Sequence, residues 1–125
     1  VIARNYLRLN PKSYWVNVEP HPLYKSTKRI QIIKRWFDEK FRIDETVDTI
    51  IHSHVFEHIY NPGNFLKNIS NFLHIGQKHI FTLPNMIEQF SRKYTNCINF
   101  EHTILLSEYI IDYLLQINRF KILEK

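Results

Sequence analysis

Two glycines, one cysteine and one methionine are all that the 125 residues hold of those types. Gly63 and Gly76 stand apart, so no Gly-rich turn of the kind that cradles a phosphate or carboxylate occurs anywhere in the sequence. The lone Cys97 has no partner for an internal disulfide and no second thiol for a metal site, and a buried or half-buried thiol is its expected state. No apolar run approaches the ~20 residues that cross a bilayer. No signal-peptide pattern opens the chain, so a cytoplasmic protein without membrane contact is expected.

What is present suffices for a packed core. Apolar residues make up 44% and aromatics 14%, which argues against disorder. The length sets one domain, residues 1–125, small for an α/β enzyme. The formal charge of +5 invites an anionic partner. Its only local cluster, however, is Lys25, Lys28, Arg29, Lys34 and Arg35 beside a predicted strand. A solvated face explains that cluster as well as a nucleic-acid footprint does, so nucleic acid is not an expected partner.

Periodicity predicts alternating helices and strands. Ile2 to Leu9 carries apolar residues on roughly one helical face and stops at Asn10-Pro11. Tyr14 to Glu19 reads as a strand cut off by Pro20, and Ile30 to Ile33 as a second. Val47 to Ile51 is nearly continuous in apolar residues, as a strand covered on both faces would be. Asn61-Pro62 is an N-cap with proline at the first helical position. Phe65, Leu66, Ile69, Phe72 and Leu73 then form one stripe, with Gly76 where a C′ glycine belongs. His79 to Leu83 predicts a fourth strand and Ile87 to Tyr94 a loose helix. Ser107 caps a last helix ending at Asn118, and Phe120 to Leu123 reads as a final strand. This alternation implies a mostly parallel sheet with flanking helices.

The stretch from Val47 to Asn85 is then a βαβ unit, with His52, Ser53 and His54 gathered at the carboxyl end of a strand. In open α/β sheets that end is where ligands bind. Asp48-Thr-Ile-Ile-His-Ser-His, Glu57-His58, Asn61-Pro62, Phe65-Leu66, Phe72-Leu73-x-x-Gly76 and Leu83-Pro84-Asn85, taken in order, resemble the second half of a class I S-adenosylmethionine-dependent methyltransferase. The resemblance covers nearly the whole chain and is specific in combination.

The resemblance implies a Rossmann-like sheet, S-adenosylmethionine as cofactor and a small-molecule methyl acceptor, a sugar or another hydroxylated metabolite. Glu19 matches the family's strand-end acid that grips the ribose hydroxyls, its alternative being an exposed strand-end carboxylate. Phe37 and Asp38 fall in the region bordering the adenine, where Phe37 would stack and Asp38 would accept from the amine. A core aromatic and a capping acid describe the two equally well. His52, Ser53 and His54 follow the strand that passes the methionine end of the cofactor, and would line the methyl-transfer path. Glu101-His102 matches the segment of sugar C-methyltransferases in which a Tyr-x-Glu-His motif supplies a histidine base. Asn99 stands where the family has tyrosine, and a loop-capping histidine is the alternative.

The family's first strand with its Gly-rich turn, and its last antiparallel strand, have no counterpart here. The expectation is therefore a partial methyltransferase domain, an incomplete or inactive copy whose sheet lacks its central strand. Sequence encoded immediately before Val1 would test that. A non-enzymatic remnant that binds a partner is the first rival. The second is a zinc peptidase of the H-x-x-E-H type, since His54, Glu57 and His58 fit the spacing. That chemistry needs both histidines on one helix, whereas the pattern straddles a strand-to-helix turn, so no metal ligands are expected.

Overall fold

The computed structural model describes residues 2–94 and 101–125. They form two compact units, Val1–Ile43 and Asp44–Lys125.

In the first unit, helix α1 (Ile2–Leu9) precedes strands β1 (Trp15–Val18) and β2 (Ile30–Ile33). The two strands pair in parallel, Trp15 opposite Ile30 and Val18 opposite Ile33. Of the apolar face of α1, Leu7 is buried, while Ile2 and Leu9 are largely exposed. Arg29 closes the unit by donating from one guanidinium nitrogen to the carbonyls of Leu7 at 3.1 Å and Pro11 at 2.9 Å. One member of the basic cluster is thus occupied with backbone oxygens.

The second unit carries β3 (Thr49–Ser53), a 3₁₀ turn (Phe56–His58), α2 (Pro62–Phe72), β4 (Lys78–Thr82), α3 (Met86–Ser91) and α4 (Glu108–Ile117). β3 and β4 pair in parallel from Thr49 opposite Lys78 to Ser53 opposite Thr82. The Asn61 and Ser107 caps are those the sequence specifies. The side-chain oxygen of Asn61 accepts from Asn64 N–H at 2.9 Å, with Pro62 at the first position of α2. Those of Asn85 and Ser107 do the same for α3 and α4. Phe56, Leu66, Leu106, Ile111 and Leu115 make the buried core of this unit, with Phe65, Phe81, Leu83, Leu114 and Phe120 packed against it.

The chain is mixed α/β with short parallel pairs and flanking helices, as expected. Among the described residues the strands form two separate pairs rather than one mostly parallel sheet. Three local expectations are corrected. Helix α2 ends at Phe72, so Gly76 is not its C′ residue. Gly76 occupies the third position of the turn His74–Gln77, closed by Gln77 N–H to His74 C=O at 3.1 Å, where its φ of 92° is one that glycine adopts without strain. Phe120 to Leu123 is not a strand. No ladder partner lies beside it among the described residues, and Phe120 N–H turns back to Leu115 C=O at 3.0 Å. Finally, β3 is only half-buried from Thr49 to His52 rather than fully covered on both faces. His52 and His79 face the packed side, while Ile80 on the other remains 49% exposed.

Candidate functional site

In the first unit, β1 delivers Glu19 to the rim of an open cleft of about 340 Å³. The cleft is lined by Asn17, Glu19, His21, Leu23, Tyr24 and Ile32, together with Pro22, at the carboxyl end of the β1–β2 pair. The Glu19 carboxylate accepts from the backbone N–H of His21 at 3.2 Å, which ties it to the Glu-Pro-His-Pro loop. The His21 ring meets Trp36 edge-on at 6.3 Å.

Asp38 caps its own turn. Its Oδ1 accepts from Lys40 N–H at 2.9 Å and lies 3.8 Å from the Arg35 guanidinium. Phe37 packs its ring 5.2 Å from that of the buried Phe41. These are the contacts of a core-flanking aromatic and a capping acid.

In the second unit, the residues at the carboxyl end of β3 diverge. The His52 ring lies among Phe56, Phe65, Phe81 and His79, with centroids between 5.0 and 5.5 Å away. Its Nε2 meets Nε2 of His79 at 2.9 Å. Burial depresses both rings from the usual 6.5, His52 to about 4 and His79 to about 3, so both are neutral at physiological pH. For His79 the neighbouring His52 adds to the depression. Ser53 is exposed, its hydroxyl bonded to that of Thr82 at 2.7 Å across the strand pair. His54 is also exposed, with a left-handed φ of 52°.

That turn of the backbone sets His54 Nδ1 3.1 Å from Oε1 of Glu57. Glu57 is the one buried acidic residue among the described residues, at 5% exposure, and its Oε2 has no hydrogen-bond partner. Leaving a carboxylate oxygen bare in a buried place costs on the order of 1–3 kcal/mol or more unless something compensates it.

The backbone of Glu57 is equally engaged. Its carbonyl accepts from Thr103 N–H at 2.8 Å, from the Thr103 hydroxyl at 3.3 Å and from Ile104 N–H at 3.4 Å. This clasp brings Glu101 and His102 onto the 3₁₀ turn. His58 Nδ1 lies 2.9 Å from the Glu101 carbonyl; a carbonyl only accepts, so Nδ1 carries the proton and the neutral ring's lone pair is on Nε2. The His58 and His102 rings meet edge-on at 5.2 Å. One donor atom from each of Glu57, His58 and His102 lies within 4.8 Å of the others.

Of the residues singled out from sequence, the structure gathers His54, Glu57, His58, Glu101 and His102 into one cluster. It sets His52 apart in an aromatic box, and Glu19, Phe37 and Asp38 belong to the first unit. No single helix carries His54 and His58: His54 precedes the three-residue 3₁₀ turn. The helical zinc-peptidase geometry is therefore absent. His79 went unread in the sequence, although two strands of the same parity, each with a histidine near an aromatic residue, are a signal for it. Cys97 and Asn99 lie outside the described residues.

No protein-family model, curated protein or solved structure matches this chain.

Proposed function

We propose that the chain carries part of a class I S-adenosylmethionine-dependent methyltransferase fold of Rossmann type, acting on a small hydroxylated acceptor. One observation carries the reading: a cleft at the carboxyl end of a parallel strand pair, with a strand-terminal carboxylate on its rim. Vicinal hydroxyls of a ribose suit such a group, because a carboxylate accepts two charge-assisted hydrogen bonds and a strand end holds it rigidly. Asn17, His21 and Tyr24 add polar groups beside Glu19, and Pro22, Leu23 and Ile32 supply apolar surface, a mixture that a small-molecule site uses.

When bound, S-adenosylmethionine supplies an electrophilic methyl on a positively charged sulfur. The protein's part would be to hold the acceptor beside that methyl. In this reading His102 would serve as the base that holds the acceptor's proton.

Both tryptophans belong to the first unit, and Trp36 touches His21 of the cleft, so intrinsic fluorescence reports on it. Titration with S-adenosylhomocysteine is expected to give a saturable change in the micromolar-to-millimolar range, about −8 to −4 kcal/mol. Glu19→Gln weakens binding about tenfold, and 3′-deoxyadenosine loses a similar factor relative to adenosine. A flat titration of the folded chain, or equal binding by Glu19→Gln, overturns the reading.

A further inference from the structure

We propose that Glu57, His58 and His102 form a binding site for one zinc-class divalent cation, with a coordination position left open. The inference rests on the geometry of the second unit alone and gives His102 a role other than the base of the methyl-transfer reading. Three observations converge on it.

The first is proximity: one potential ligand atom from each of the three residues lies within 4.8 Å of the other two. Bonds of about 2.1 Å at tetrahedral angles put ligand atoms about 3.4 Å apart, so the widest separation closes by about 1.4 Å at most. The exposed His58 ring has room for that adjustment.

The second is the bare oxygen. Oε2 of Glu57 is buried and unpartnered, while Oε1 is held by His54. A cation on Oε2 supplies the missing partner and balances the buried charge. His54 then stands where the outer partner of a ligating carboxylate stands, and its left-handed backbone is what directs it there.

The third is the His58 tautomer. Ligating histidines donate their other ring N–H to a carboxylate or a backbone carbonyl, which fixes the ring and leaves the second nitrogen as the donor. His58 does this with the Glu101 carbonyl at 2.9 Å.

Two imidazoles and one carboxylate suit zinc, whereas magnesium and calcium take oxygen ligands. Three protein ligands leave a fourth position for water or a hydroxylated ligand, as in catalytic rather than structural zinc sites. The exposure of His58 puts the site within reach of solvent. The cation would also fasten Glu101–Ile104 to the 3₁₀ turn through side chains as well as backbone. A lone pair given to a metal no longer takes a proton, so the metal-loaded chain uses His102 as a ligand and not as a base.

The test is zinc binding by the full chain, measured by competition with a chromophoric chelator. Wild type and Cys97→Ser are run in parallel, so that the thiol is accounted for. One zinc per chain with a micromolar or tighter constant is expected in both. His58→Ala and His102→Ala each weaken binding at least tenfold, and His74→Ala, an exposed control, leaves it unchanged. Cobalt in place of zinc gives the intense visible bands of a four-coordinate site, and these are lost in His58→Ala. Because His58 is exposed, that variant keeps its fold, which circular dichroism verifies. Absence of saturable binding, or His58→Ala and His102→Ala binding as wild type does, overturns the proposal. So does a loss in His74→Ala as large as that in His58→Ala.

Discussion

His52 and His79 share one hydrogen bond between two like nitrogens, and this makes the pair sensitive to acid. A bond between Nε2 atoms needs a proton on one and a lone pair on the other, so the two neutral rings adopt different tautomers. Neither Nδ1 has a partner, and adding a proton would bury an unpaired charge among phenylalanines. Both rings titrate lower in the fold, at about 4 and about 3, than the 6.5 of an exposed histidine. Between those values the unfolded chain binds more protons, so stability falls as pH falls. Urea unfolding is expected to show full stability above about pH 7 and a loss of a few kcal/mol on descending toward pH 4. Replacing both residues by phenylalanine flattens that dependence. An unchanged slope in the double variant would show that other groups set the acid limit.

At the scale of elements, the caps govern. Asn61→Ala removes the side-chain acceptor for Asn64 N–H and is expected to cost about 1 kcal/mol in chemical denaturation. Gly63→Ala goes the other way. A methyl there meets Leu114 and the Asn61 side chain at 3.7 Å, ordinary contact, and the helical backbone suits alanine, so a gain of about 0.5–1 kcal/mol is expected. These features were legible in the sequence because they are local: Asn61-Pro62, the stripe from Phe65 to Leu73 and Ser107 each write their instruction within one or two turns. The errors were about partners. Phe120 to Leu123 has strand composition, but a strand exists only with a neighbour to pair with. Gly76 carries a turn signal, and the signal does not say whether a helix or a separate turn uses it. The cluster around Glu57 was legible only in pieces, since His58 and Glu101 stand 43 positions apart and only the fold joins them.

At the scale of the molecule, the two units differ in how much they bury. The first has two buried apolar side chains among its described residues, Leu7 and Phe41, while the second has Phe56, Leu66, Ile69, Met86, Leu106, Ile111 and Leu115. Regions with few buried apolar contacts open at lower free energy. Trp15 and Trp36 both report on the first unit, whereas α2, α3 and α4 of the second dominate the helical signal. Urea is therefore expected to change tryptophan fluorescence at a lower concentration than far-ultraviolet circular dichroism. Coincident curves would mean that the chain unfolds as one cooperative body.

The Glu57 carbonyl, gripped by Thr103 and Ile104, adds a consequence for how this chain tolerates change. A main-chain grip is blind to side-chain identity, so Glu57→Gln inherits the clasp intact and alters only the carboxylate, its charge together with one of its two acceptor oxygens. In a library of substitutions at position 57, isosteric replacements would leave the joint standing, and any selection against Glu57→Gln would be selection for the carboxylate rather than for the joint.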